Sequence, residues 1–195
     1  MLQRSDSAAP AGILDAQISL VGTVDDGMIG SMLDQLAHVP EGDGIVTLEA
    51  TTLGGDAEMA RRAMLEVELA RERLKPRRLV FLGKTVVYSA GVTLMAGFPR
   101  QDRFLTADAM LLIHCRQLDE ELRLSGPIHA SLPKLRAKCH EIETGIELEK
   151  DGFARLIEGS TVSMDELLEK ALYNWYVPAR EALELGLIGG IVASD

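Results

Sequence analysis

Cysteine is nearly absent: Cys115 and Cys139 are the two in 195 residues. Two thiols make no disulfide framework, which excludes a small cross-linked secreted scaffold. Positive charge is in deficit, with 20 Lys and Arg against 30 Asp and Glu and a formal net charge of −10. That balance excludes the broad basic surface that nucleic acid or an anionic membrane would attract. Long apolar runs are missing too. The longest uncharged stretch, Thr85 to Pro99, contains Gly and Pro and is too short to span a bilayer, so it reads as buried core. The opening MLQRSDSAAPAGILDAQ has no apolar core of a secretory leader. With so few thiols, a cytoplasmic setting is expected. Aromatics are only 4 % of residues, which leaves little material for an aromatic-lined docking pocket.

What the chain does have is enough apolar residue, 47 %, for a substantial core. The length suits one domain over 17–195, preceded by a loose Ser/Ala/Pro/Gly-rich arm over 1–16. Strand candidates at Gln17–Val21, Ile45–Ala50, Arg78–Leu82, Arg103–Leu105, Met110–Cys115 and Ile188–Val192 alternate with helical patterns. Gly83 is read as the end of the third strand. Helices are expected at Asp25–His38, Asp56–Leu74, Ser89–Gly97, Ile128–Glu158 and Pro178–Leu185, with a further one capped by Ser163 and Glu166. The alternation predicts an α/β class. The long 128–158 helix breaks that alternation, and a helix of this kind often projects and packs against another subunit.

Three features could carry chemistry. Ser89 lies where a strand-like run turns into an apolar helix, in VVYSAGVTLM. A hydroxyl there faces unpaired backbone N–H groups, which suit the oxyanion of an acyl-transfer step. An ordinary N-cap serine wants the same position, and on this feature alone that reading is preferred. Gly54-Gly55 lets backbone approach a substrate closely, although a plain tight turn would look the same. His114 ends the apolar run AMLLIH and could take and return the serine proton; a structural histidine is the competing reading. His38, His129 and His140 sit in polar helical settings and read as surface residues. His114-Cys115 and Cys139-His140 miss the common zinc spacings, so no metal is expected. No cofactor is expected either.

Taken in order, VTLEATTLGGDAEMARR, GKTVVYSAGVTLMAG, RFLTADAMLLIHC and PAREALELGLIGGIV resemble the proteolytic subunit of the Clp protease. The resemblance runs from about Ile18 to Val192. It implies a crotonase-like spiral of ββα units with a protruding handle over 118–158 that joins two rings face to face. It also implies a serine peptidase acting on peptides or unfolded protein inside a homo-oligomeric ring chamber. Ser89 would be the nucleophile and His114 the base. The N–H groups of Gly55 and Ala90 would form the oxyanion hole, with Gly54 beside them.

The match departs from the family in three places. The family has an aspartate seven positions before the Glu-Ala of the last helix, and counting back from Glu181 gives Asn174. The implied triad is therefore Ser89-His114-Asn174. A neutral amide gives the imidazolium no charge stabilisation, so weak or conditional activity is expected. Thr51-Thr52-Leu53 stands where the family has Asn-Ser-Pro. Thr47 and Glu49 stand where the family has aromatics that receive a Clp-type ATPase, which argues against that partner. Two other readings stay open: a catalytically impaired structural or regulatory ring subunit, favoured by Asn174, and a crotonase-type acyl-CoA enzyme, disfavoured by the Ser/His pair.

Overall fold

The computed structural model describes residues 9–193. The elements run β1 (Ile18–Val21), α1 (Asp26–Ala37), β2 (Ile45–Thr52), α2 (Ala57–Arg73), β3 (Arg78–Tyr88), α3 (Ala90–Ala96), β4 (Arg103–Thr106), β5 (Met110–Ile113), α4 (Ile128–Ile157), α5 (Met164–Ala171), β6 (Trp175–Pro178), α6 (Ala179–Leu185) and β7 (Gly190–Val192). The α/β class read from the alternation is the class observed.

Local signals explain most helix ends. Asp25 accepts the Met28 N–H at 2.8 Å, and Asp56 accepts those of Glu58 and Met59 at 2.7 and 2.9 Å. Ser163 accepts the Glu166 N–H at 3.2 Å. Each satisfies N–H groups that the helix itself leaves unpaired. The reciprocal arm of that last capping box is not made; the Glu166 carboxylate takes Lys170 at 2.8 Å instead. Gly186, at φ 76°, closes α6 in the left-handed conformation.

Strands β1-β2-β3-β4-β7 form a parallel sheet in that order, and β5 pairs with the far half of β3 and antiparallel with β6. Two expectations fail here. Gly83 does not end a strand: β3 runs on through it for eleven residues. A Cβ at Gly83 would lie 2.5 Å from Leu105 Cδ2 and 2.7 Å from Val87 Cγ2, so the glycine answers a packing need. Strand β6 is the second surprise, because WYVP has neither the length nor the alternation to announce itself. β3 changes partner along its length, pairing β4 through Phe81–Gly83 and β5 through Val86–Tyr88. Thr85, at φ 57°, sits between the two halves, opposite the register shift at Ala50/Thr52 of β2. The bend carries the end of β3 and the start of α3 out toward β5 and His114.

The main core lies between the sheet and α1, α2 and α3, with Ile18, Leu48, Phe81, Val67, Leu94 and Met95 fully enclosed. A smaller cluster on the other face joins Val80, Leu82, Phe104 and Val192 to Ile13. Of the arm expected over 1–16, residues 1–8 lie outside the described residues. Residues 11–14 form turns, and Ile13 is buried in that second cluster. Helix α4 has 30 residues, and only Leu156 near its end is buried. At 1.5 Å per residue it is about 45 Å long, so most of it stands away from the body. Among the described residues no helix is long and apolar enough to cross a membrane.

Candidate active site

Ser89 links the end of β3 to α3 with φ 53° and ψ −114°. For a residue with a Cβ this is a strained conformation, costing roughly 1–3 kcal/mol. Its surroundings hold it there. The Ser89 N–H donates to Leu112 O at 2.8 Å, and Ser89 O accepts from Val92 N at 2.9 Å. A Cβ on Gly54 would lie 2.8 Å from Ser89 Cβ, and one on Gly91 would collide with Thr52. Gly54 therefore acts by letting the β2–α2 turn press against the serine. The Ser89 hydroxyl caps no N–H, so the ordinary N-cap reading does not describe this residue. A sharp strand–turn–helix with its serine pushed outward is the geometry that exposes a nucleophile in hydrolases.

Ser89 opens onto a cleft of about 380 Å³ that is also lined by Gly55, Ala90 and His114. Gly55 is held at φ 153° by its neighbours: Val24 N donates to Gly54 O at 2.9 Å and Asp56 N to Val24 O at 2.7 Å. A Cβ on Gly55 would run into Val24 O. Among the described residues neither the Gly55 N–H nor the Ala90 N–H has a hydrogen-bond partner. Two unpaired donors beside one serine hydroxyl can receive a developing oxyanion.

His114 follows β5 directly. Its Nδ1 lies 2.7 Å from the Cys115 carbonyl oxygen. A carbonyl only accepts, so Nδ1 carries the proton and Nε2 keeps the lone pair needed to receive another. Asn174 immediately precedes β6, whose ladder with β5 ends at the pair Ile113 and Trp175, and it is not among the residues that line the cleft. It is exposed, its backbone is left-handed at φ 61°, and among the described residues its side chain has no hydrogen-bond partner. The structure thus brings Ser89, His114, Gly55 and Ala90 to one cleft and Gly54 against the serine. Asn174 lies outside that cleft and makes no hydrogen bond to the histidine.

Several cleft residues escaped the sequence reading. Leu148, Glu149, Gly152, Phe153 and Leu156 of α4 form one wall, and Arg61 and Arg116 stand at the side. Glu149 accepts the Arg116 main-chain N–H. The same carboxylate, together with burial, pushes the Cys115 thiol pKa up, burial being the larger cause. Cys115 is therefore poorly suited to act as a thiolate beside His114. His38, His129 and His140 are exposed, as expected for surface residues.

No protein-family model and no curated sequence matches the chain. Among solved structures it is similar to an Asn-to-Asp mutant of ClpP1 from Listeria monocytogenes. The two share 15 % identity over 93 % of this chain and 94 % of that one, with a TM-score of 0.69. At so low an identity the likeness bears on backbone architecture, and on that it is plain: this chain has a ClpP-like α/β fold.

Proposed function

We propose that this chain is a serine peptidase of ClpP-like architecture. The observation that carries the reading is the convergence of Ser89, a His114 with a free Nε2, and the unpaired N–H groups of Gly55 and Ala90 on one cleft. Ser89 Oγ attacks the peptide carbonyl carbon while its proton passes to His114 Nε2. The carbonyl oxygen becomes an oxyanion held by Gly55 and Ala90. The C–N bond then breaks, His114 returns the proton to the leaving amine, and an acyl-serine remains. Water, deprotonated by the same Nε2, releases the acid and restores the serine. During attack the Cys115 carbonyl fixes the ring and offers the imidazolium a dipole in place of a full negative charge. Turnover should accordingly be modest.

A fluorophosphonate probe should label Ser89 in the assembled protein, and Ser89→Ala should abolish labelling. Folded protein that stays unlabelled at millimolar probe would sink the peptidase reading. It would support the second one, an impaired ring subunit, which the unbonded Asn174 side chain favours.

The reading includes assembly through α4. Ile128, Leu132, Leu135, Ile142 and Ile146 are exposed at spacings of three, four or seven residues, a stripe that suits helix-on-helix packing. The first half of the helix carries Lys134, Arg136 and Lys138 against Glu141, and the second carries Glu143, Glu147, Glu149 and Asp151 against Lys150 and Arg155. Antiparallel pairing of two copies sets opposite charges against each other, which supports rings joined face to face. Leu132→Glu combined with Ile142→Glu should halve the particle mass seen by light scattering. An unchanged mass would remove α4 from the contact. Glu49, at a position where family members carry aromatics, is tied up by Lys84 and by Ser19 at 2.8 Å. That polar cluster argues against the aromatic ATPase-docking pocket.

A further inference from the structure

The cleft beside Ser89 has two chemical parts. Its deep wall is apolar, with Val92, Ile113 and Leu156 almost fully enclosed. Its half-exposed side carries Arg61 from α2 and Arg116 from the segment after β5. Both guanidinium groups bond to one carboxylate: Arg61 Nη1 to Glu58 Oε2 at 2.6 Å and Arg116 Nη1 to Glu58 Oε1 at 2.7 Å. Arg116, followed by burial and then Arg61, sets the Glu58 carboxyl pKa, with a net shift below the usual range. Glu58 itself does not line the cleft, whereas both arginines do. The shared carboxylate pins the two groups from behind, and among the described residues Nε and Nη2 of each have no partner. Glu149, the one carboxylate in the cleft wall, is already engaged by the Arg116 main-chain N–H. Glu58 and Glu149 together balance the two guanidinium charges, so the cleft offers an anion not a net positive field but the N–H donors that the two forks still hold open.

We infer that Arg61 and Arg116 form a preorganised carboxylate clamp that selects peptides with an acidic group close to an apolar residue held in the cleft. The carboxylate comes from an Asp or Glu side chain or from a free peptide C-terminus; the chemistry is the same. Pinning by Glu58 lowers the ordering cost that two long side chains would otherwise incur on binding. The choice of ligand rests on the peptidase reading, but the clamp is tested without catalysis.

The probes are Ala/Leu hexapeptides with one Asp moved through each position, paired with matched Asn peptides. Each is made with a free and an amidated C-terminus, and binding to Ser89→Ala protein is followed calorimetrically. At one position or at the free C-terminus the carboxylate peptide should bind about tenfold or more tightly than its neutral partner, as for charge-assisted pairs. The difference should shrink in 0.5 M salt and fall below threefold in Arg61→Gln, which lies on an exposed helix face. Glu58→Gln, which unpins both forks, should reduce it. Preference at a side-chain position identifies an acidic residue; preference only for the free terminus identifies a terminal carboxylate. Equal binding of charged and neutral peptides overturns the clamp, as does no binding at all or a preference unmoved by Arg61→Gln. Ser89 labelling in the wild type reports separately on the peptidase reading, so the two can fail independently.

Discussion

If the chain is the proposed peptidase, Asn174→Asp should raise its turnover by at least about tenfold, with up to about four orders of magnitude as the scale set by the reverse change in trypsin-like enzymes. The position directly precedes Trp175, whose ladder partner Ile113 directly precedes His114. Its left-handed backbone, φ 61°, is one that aspartate tolerates nearly as well as asparagine. A carboxylate there would accept the Nδ1 proton in competition with the Cys115 carbonyl, now 2.7 Å away. It would then stabilise the imidazolium with a full charge, which a carbonyl dipole cannot do. The effect belongs in kcat, with KM little changed, because the added interaction exists mainly once the ring is protonated. An unchanged or lower kcat would show that residue 174 does not reach His114 during the reaction, and the Cys115 carbonyl would then be the histidine's sole partner.

Arg103→Met lowers the melting temperature by roughly 6–20 °C, corresponding to about 3–5 kcal/mol for breaking a buried charged arrangement from one side. The Arg103 side chain is almost wholly enclosed, 2 % exposed, and among the described residues it makes no salt bridge, although the Glu158 charge acts on it. All its bonds go to main-chain carbonyls: Phe98 at 2.7 Å, Leu156 at 2.7 Å, Arg155 at 2.9 Å, Leu187 at 3.2 Å and Ala96 at 3.3 Å. Four of these belong to the C-terminal ends of α3 and α4 or lie just past α3, where carbonyls lack helical partners and concentrate negative potential. Burial pulls the Arg103 pKa down to about 10, so the group is still charged at neutral pH. The residue fastens the foot of α4 to the helix that begins at Ser89. Arg103→Lys keeps the charge but supplies three donors, and should fall between wild type and Met. A methionine variant melting within 2 °C of wild type would refute this account. Loss of the Arg103 bonds also loosens the α4 wall of the cleft, so Ser89 labelling should slow in parallel with the fall in stability.

The helices were legible because their determinants are local. Asp25, Asp56 and Ser163 cap within three residues of themselves, and the apolar spacing of α1 and α2 is read within a single turn or two. That Ser89, Gly54-Gly55 and His114 stand at the ends of elements was legible for the same local reason, and their grouping came from the resemblance. Strand β6 was not, because WYVP becomes a strand only when β5 lies beside it. Gly83 misled for a similar reason: its need for space comes from Leu105, on another strand.

The sequence alone determined the alternation of strand and helix, the charge balance, and which residues stand at the strand-to-helix turns, since these depend on neighbours within a few positions. Tertiary structure decided the strained Ser89 backbone, the two unpaired N–H groups, the Cys115 carbonyl in the place a carboxylate would fill, and the carbonyl cage around Arg103. Each of these sets groups from elements distant in sequence within hydrogen-bond reach, or fixes a backbone angle through contacts made by such elements. No periodicity along the chain encodes that, because it follows from how the sheet bends at β3 and how α4 seats against α3.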